Sequence, residues 1–247
     1  MLGKLNMNNF FSWVLLAGML PLALSQQNCQ MQQVFSGRYY GVDAELNDIS
    51  TCLVIDLEDN PLNPGMIKTL ADALVQTAPK IKELRFKDTK LDDVMLGTLL
   101  KAVEHRPSLK VVDFGYNSIT AEGAKVLADH LTKNGIGIES VNLAVNSIGD
   151  EGAIALANAL AKNQLVTSLT LRSNKIGEDG ITALSKLLES NDKIVDLNLK
   201  YNKFEKTFIN FIKLQNQVAR NKALLAEKEP LSIKRSKDAD ENKKNEM

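Results

Sequence analysis

The chain is poor in the residues that build reactive sites. It has two cysteines, two histidines and one tryptophan among 247 residues, and 30 basic side chains balance 30 acidic ones, so the formal net charge is zero. A zinc centre is not predicted, because neither a Cys-x-x-Cys pair nor a nearby histidine completes four ligands. Nucleic acid is not an expected partner, since no bulk positive charge attracts a polyanion.

Repetition is the main feature that the chain does have. A phrase of 21 residues occurs six times at intervals of 28 or 29 residues, and its copies begin at Val54, Glu83, Val111, Ser140, Ser168 and Asp196. Repetition at this period is typical of a solenoid, in which each unit buries its apolar face only against neighbouring units. The sequence therefore predicts a stack of about six units over residues 54–204.

Each copy changes its apolar period midway. In the first half apolar residues alternate, as at Leu169 and Leu171, which predicts a short strand with two inward side chains. The second half has helical spacing, and acidic residues such as Asp150 and Glu178 open helices, where they suit the positive end of the helix dipole. One apolar stripe contains Leu70, Leu99, Leu127, Leu156, Leu184 and Ile212. The predicted unit is strand, turn and helix, which is an α/β fold.

An asparagine follows nearly every predicted strand. The seventh position of the copies holds Asn60, Asn117, Asn146, Asn174 and Asn202. An amide side chain both donates and accepts hydrogen bonds, so it can satisfy backbone groups that leave the strand ladder at a bend. We predict a structural role for this column. Thr89 takes the position in the second copy, which predicts a less regular second repeat.

These copies resemble the leucine-rich repeats of the ribonuclease-inhibitor type, whose long units pair a strand with a full helix. The likeness extends over about two thirds of the chain and departs from the family pattern at Thr89. It implies a curved leucine-rich repeat solenoid, with a parallel sheet on the concave side and helices on the convex side. Members of this family mostly bind proteins, among them enzyme inhibitors, immune sensors and activators of small GTPases.

The N-terminal segment predicts export. Residues 10–25 form an apolar run that is too short to span a membrane comfortably and is broken by Pro21. This pattern fits a signal peptide over residues 1–25 that is cleaved after Ser25, and an uncleaved anchor is the alternative. We expect a secreted or periplasmic protein with no stable membrane span after removal of the signal.

Both cysteines lie between the predicted signal peptide and the first repeat. We expect this segment, residues 26–53, to cap the N-terminal end of the solenoid. In an oxidising compartment a disulfide between Cys29 and Cys52 would close a loop and contribute about 3 kcal/mol. The alternative is two unrelated thiols, with Cys52 buried in the cap.

The C-terminal part predicts a second cap followed by a tail. Over residues 205–228 apolar residues recur near helical spacing, while Lys213 and Asn216 replace apolar residues of the earlier helices, which favours a capping helix with a polar face. Residues 229–247 combine mixed charge with almost no apolar residue, which predicts disorder. This tail is interpreted either as a solvated end or as a recognition signal for a bacterial secretion apparatus.

A catalytic site is not predicted. His105 and His130 lie 16 and 13 residues past the asparagine position of their copies, so stacking does not align them, and we expect both on helix surfaces. No nucleophile shares a position with a base. The glycines at 123, 152 and 180 recur at helix starts and form no phosphate-binding loop. We therefore expect neither enzyme activity nor a cofactor or metal.

Outward strand positions predict a binding surface on the concave side. Exposed aromatic residues beside arginine are typical of interaction hot spots, although tyrosine and valine are also favoured on any sheet. The candidate partner-binding residues are Tyr116, Ala144, Val145, Arg172, Lys200 and Tyr201.

The expected function is an exported, monomeric module that binds a protein partner. The acidic part of that partner is expected near Arg172 and Lys200, and a bacterial effector acting on a host protein is the narrowest version of this hypothesis. Two other classes stay open, a regulator of a small GTPase and a scaffold of the cell envelope. Measurements of GTP turnover and of membrane association separate them.

Overall fold

The computed structural model describes residues 28–30, 34–36, 45–77, 80–104, 106–133, 137–204 and 209–228. For residues 35–36, 45–46, 209–216 and 227–228 it describes the backbone alone. The predicted signal peptide, His105 and the predicted tail lie outside the described residues.

Short parallel strands form one sheet of seven strands. In chain order, the strands are β1 (Asn28–Gln30), β2 (Phe35–Ser36), β3 (Glu45–Leu46), β4 (Val54–Asp56), β5 (Glu83–Arg85), β6 (Val111–Asp113), β7 (Ser140–Asn142), β8 (Ser168–Thr170) and β9 (Asp196–Asn198). The sheet has the order β1-β4-β5-β6-β7-β8-β9, while β2 and β3 form a separate antiparallel pair. Equivalent residues of successive repeats are paired, as Val141 is with Leu169, so stacking preserves the phase of the repeat.

The helices pack side by side in chain order against one side of this sheet. They are α1 (Pro64–Thr77), α2 (Asp93–Ala102), α3 (Ala121–Leu131), α4 (Gly149–Leu160), α5 (Glu178–Ser190) and α6 (Ile209–Lys228). The predicted α/β solenoid of stacked strands and helices is confirmed. In the described part of the chain no helix has the length and apolar character needed to cross a bilayer.

The repeated apolar positions fill the interior between the sheet and the helices. The two inward residues of each strand are buried, and the helical stripe at Leu127, Leu156 and Leu184 is completely inaccessible to solvent. Phe86 and Phe114, which lie in successive repeats, pack edge to face with ring centroids 6.3 Å apart. The core is therefore continuous from repeat to repeat.

Each helix start depends on the repeat before it. The Asp150 carboxylate, in the first turn of α4, accepts hydrogen bonds from the backbone N–H groups of Gly177 (2.7 Å) and Gly180 (2.9 Å). It thus caps α5, in addition to the expected interaction with the dipole of its own helix. A Cβ atom on Gly180 would lie 2.6 Å from Cγ2 of Ile176 and 2.7 Å from Oδ1 of Asp150, so this close contact requires glycine.

A disulfide closes the N-terminal end of the solenoid. Cys29 lies in β1 and is bonded to Cys52, two residues before β4, and both are buried. The bond attaches β1 to the edge of the first repeat, where β1 and β4 pair in parallel. The alternative of two unrelated thiols is therefore wrong.

A second row of polar side chains links the repeats at the corner that follows each helix. Asn221 of α6 donates to the carbonyl of Asn191 (3.0 Å), and Asn191 donates to the carbonyl of Leu160 (2.8 Å). Asn163 donates in the same way to the carbonyl of Leu131 (3.0 Å). We name Asn163, Asn191 and Asn221 the corner ladder. Because α6 supplies its last member, this helix completes the stack as a further repeat would.

His130 differs from its expected position on a helix surface. It is buried in the last turn of α3, with 3% of its surface exposed. The physical reason is its spacing from Leu127, because residues three apart share one face of a helix. Here that face points into the core.

Candidate protein-binding surface

Asparagines tie the end of each strand to the repeat before it. The amide of Asn146 donates to the carbonyls of Phe114 (3.0 Å) and Leu143 (3.1 Å) and accepts from the N–H of Ile119 (2.9 Å). Equivalent bonds join Asn117, Asn174 and Asn202 to their preceding repeats, and we name these four residues the strand-end ladder. The ladder fixes the turn from which the strand-side surface begins.

The first two copies depart from this pattern. Asn60 donates to the carbonyl of Glu58 (2.6 Å), two residues earlier in its own repeat. Thr89 is completely buried, and its hydroxyl donates to the carbonyl of Phe86 (3.0 Å). Its N–H donates to Oδ1 of Asn117 (3.1 Å), so the next asparagine still attaches the second repeat to the stack.

The residue before the asparagine position has a left-handed backbone in all six repeats. Their φ angles lie between 53° and 61°, at Asp59, Asp88, Tyr116, Val145, Ser173 and Tyr201. This conformation costs an L-amino acid roughly 1–2 kcal/mol, and it is least favourable for β-branched residues such as Val145. The bend leaves Tyr116 and Tyr201 with 43% and 72% of their surfaces exposed.

Four side chains form a row of alternating cations and aromatic rings along the strand side. The Nζ atom of Lys87 lies 5.6 Å from the centroid of the Tyr116 ring. The Arg172 guanidinium donates to the hydroxyl of Tyr116 (3.4 Å) and stacks on the ring of Tyr201, with Cζ 4.7 Å from the ring centroid. We name Lys87, Tyr116, Arg172 and Tyr201 the cation–tyrosine row. It connects the second, third, fifth and sixth repeats.

The fourth repeat lies beneath this row. Neighbouring strands are about 4.8 Å apart, so the contact between Tyr116 and Arg172 bridges the strand that carries Ala144. Ala144 is 6% exposed and offers little surface to a partner, whereas Val145 is half-buried. Lys200 follows Arg172 in the same column and is exposed. Of the six candidate residues, the structure thus brings Tyr116, Arg172 and Tyr201 into contact.

The two ends of the surface differ in how their charges are paired. At the N-terminal end Arg85 contacts Glu83 (2.6 Å) and Asp56 (3.5 Å), and Lys87 lies 4.0 Å from Glu58. The hydrogen bond to Glu83 raises the pKa of Arg85 above its ordinary value. The C-terminal end is different, because Arg172 and Lys200 contact no carboxylate in the described part of the chain.

A carboxylate at the N-terminal end is less acidic than usual. Partial burial raises the pKa of Glu58, and the neighbouring carboxylates of Asp56 and Asp113 raise it further. Attraction from Lys87 and Arg85 opposes this shift but does not cancel it. Negative charge therefore dominates the environment of Glu58.

The helix side offers only shallow relief in comparison. One groove lies between α4 and α5 and another between α3 and α4, and alanines such as Ala157 and Ala155 line them. Across the described residues, no three His, Cys, Asp or Glu side chains are grouped as metal ligands. These grooves bring together no set of groups with an evident chemistry.

Comparison with known proteins identifies the family. A model described as Leucine Rich repeat matches residues 105–128, 138–157 and 162–185. The chain is a leucine-rich repeat protein. Its helix-bearing repeats agree with the ribonuclease-inhibitor type, and such domains typically act as non-enzymatic protein-binding modules. No curated protein matches this leucine-rich repeat protein by sequence.

Two solved structures share the fold. The structure named leiomodin-1 actin-binding site 2 has a TM-score of 0.54 and 20% identity, and the match covers 71% of this chain and 95% of that one. The tropomodulin C-terminal domain of Caenorhabditis elegans has a TM-score of 0.56 and 11% identity, with 65% and 95% covered. At these identities the likeness concerns the fold alone.

Proposed function

We propose that this leucine-rich repeat protein is an exported, non-enzymatic module that binds a protein partner on its strand side. The observation that carries the proposal is the position of Arg172, between the hydroxyl of Tyr116 and the ring of Tyr201. Three separate repeats supply these side chains, so the stacked fold creates a cluster that no single repeat contains. Tyrosine and arginine are the residue types enriched in interaction hot spots.

The cluster is already ordered before a partner binds. Immobilising a flexible side chain on binding costs about 0.5–1.5 kcal/mol, and the contacts of Arg172 with the two tyrosines reduce that cost. The left-handed backbone at Tyr116, Val145 and Tyr201 supports the proposal in a second way. Residues held in unfavourable conformations are concentrated at functional sites.

The structural neighbour supports the class of function. The leiomodin-1 structure bears the name of an actin-binding site, so a leucine-rich repeat array serves protein binding there. Because that likeness is limited to the fold, the partner of the present chain has to be deduced from its own surface.

Export follows from the N-terminal segment and is consistent with the disulfide. Disulfides persist in oxidising compartments and are rare in the cytosol, and Cys29 and Cys52 form one in the N-terminal cap. We propose a secreted or periplasmic location after cleavage behind Ser25. N-terminal sequencing of the mature protein tests this step, since a protein that still begins at Met1 would contradict cleavage.

The binding surface is tested by affinity capture, followed by affinity measurement with the captured protein. Replacing Tyr116 and Tyr201 together with alanine should weaken binding by more than about 2 kcal/mol, which is about 30-fold. The matched control replaces Val94 and Val126, which are exposed on the helix side, and should leave affinity unchanged. Unchanged affinity of the double tyrosine variant, with an intact circular dichroism spectrum, would mean that the wrong surface has been chosen.

A further inference from the structure

The C-terminal end of the strand side carries positive charge that the protein does not neutralise. The cations at the N-terminal end, Arg85 and Lys87, lie beside carboxylates of their own or neighbouring repeats. Arg172 and Lys200 have no such neighbour among the described residues, although they occupy the same column as Lys87. An unpaired guanidinium on a surface suited to protein binding calls for an anionic group from outside the chain.

We infer that the partner presents a short acidic segment to this end of the surface. In this arrangement Arg172 receives a carboxylate of the segment, Lys200 adds a second positive charge, and Val145 contacts an adjacent apolar side chain. The inference rests on the proposed function and adds the chemistry of the partner to it.

The geometry of Arg172 leaves its donors available for a carboxylate. A guanidinium has five N–H donors at its edge, and stacking on the ring of Tyr201 occupies a flat face and none of these donors. The hydroxyl of Tyr116 takes one donor, through a contact of 3.4 Å. The remaining edge can form the paired hydrogen bonds by which arginine recognises a carboxylate. The two tyrosines thus orient the group that recognises the partner.

The opposite end of the surface limits the anion to a short segment. Asp56, Glu58 and Asp59 project from the first repeat, and Asp113 raises the pKa of Glu58 from the third repeat. A long polyanion that followed the whole strand side would meet these like charges. Since the chain also has no net positive charge, a protein segment of mixed polarity fits better than a nucleic acid.

Three short blocked peptides of equal length test this inference on the mature protein. One contains Glu, Ser and Leu, the second has Gln in place of Glu, and the third has Lys. Side-chain N–H resonances of arginine and backbone amide resonances are followed by NMR during titration. The Glu peptide should shift the resonances of Arg172, Ser173 and Tyr201, more weakly at high salt. The Gln peptide should bind about tenfold more weakly at this end, because it forms no charge-assisted hydrogen bond.

Two arginine variants separate recognition by the guanidinium from simple charge attraction. Arg172→Lys keeps the charge but loses the planar fork and its stacking, so affinity for the Glu peptide should fall about tenfold. Arg85→Lys makes the same chemical change at the end where the cation is already paired, and it should alter that affinity less than about twofold.

Several outcomes overturn the inference. Equal binding of the Glu and Gln peptides at Arg172, stronger binding of the Lys peptide there, or shifts confined to the helix side would each exclude an acidic partner segment. A single-stranded oligonucleotide that shifts Arg172 and Tyr201 at lower concentration than the Glu peptide would identify the wrong class of partner. If the Glu peptide fails while a captured protein still requires both tyrosines, the surface stands and only its assigned chemistry is wrong.

Discussion

Replacing Asn146 with alanine measures what the strand-end ladder contributes to stability. The carbonyls that Asn146 contacts keep other donors in the variant, since Phe114 still accepts from Asn117, and Leu143 from Asn174. The N–H of Ile119 loses its acceptor, and both Asn146 and Ile119 are buried. One buried, unsatisfied N–H group costs about 1–3 kcal/mol. We therefore expect Asn146→Ala to lower the free energy of unfolding by about 2 kcal/mol.

Two further substitutions make this reasoning quantitative. Asn117 accepts from the N–H groups of both Thr89 (3.1 Å) and Leu91 (2.9 Å), so Asn117→Ala leaves two donors unsatisfied and should cost about twice as much. Asn60 donates to the carbonyl of Glu58, and its side-chain oxygen accepts from no described residue. We expect Asn60→Ala to cost less than about 1 kcal/mol.

Urea denaturation followed by circular dichroism ranks the three variants. The comparison requires an unchanged dependence of the unfolding free energy on urea, because a solenoid that unfolds in parts no longer has a single free energy of unfolding. Equal costs at Asn60 and Asn117, with that dependence unchanged, would refute the idea that orphaned N–H groups determine the loss.

Four other perturbations have defined outcomes. Replacing Cys29 and Cys52 with alanine should cost about 3 kcal/mol in thermal unfolding without reductant, and an unchanged transition would show that the disulfide adds nothing. Asp150→Ala removes the cap of α5 and should cost about 1 kcal/mol, whereas Asp150→Asn should retain most of it; equal losses in denaturation would argue against capping. Asn221→Ala should lower stability by about 1–3 kcal/mol, and a neutral result would remove α6 from the corner ladder. Glu58→Gln should be more stable than the natural protein at neutral pH by less than about 1 kcal/mol. Since the pKa of Glu58 in the folded state is raised above 4.5, its favourable contribution is complete below that value and is lost as pH rises, so the difference should vanish in acid.

The position of the elements was predictable because every repeat obeys the same local pattern. Each strand from β4 to β9 begins at the first residue of a repeated phrase, as at Val54 and Asp196. The predicted stripe through Leu127, Leu156 and Leu184 is buried as expected. Repetition makes such predictions robust, since a weak pattern in one copy is supported by the same pattern in the others.

The features that the sequence did not reveal depend on relations between copies or on segments between them. Asn163 and Asn191 are 28 residues apart, so the corner ladder had a signal, but it lies outside the repeated phrase. The contact of Tyr116 with Arg172 spans two repeats, and its existence depends on the small Ala144 between them and on the left-handed bend. A column read along neighbouring positions shows neither effect. This is why the candidate surface was found but its internal contacts were not.

The unequal closure of the two ends has a consequence for how binding and unfolding are connected. The first repeat is locked by a covalent bond, whereas the last one is completed by a helix that joins through amide contacts such as those of Asn221. Opening of the stack should therefore start near β9, beside Tyr201 and Lys200. A partner that grips Arg172 and Tyr201 at once would act as a clasp on the weaker end, and its departure would leave that end free to fray.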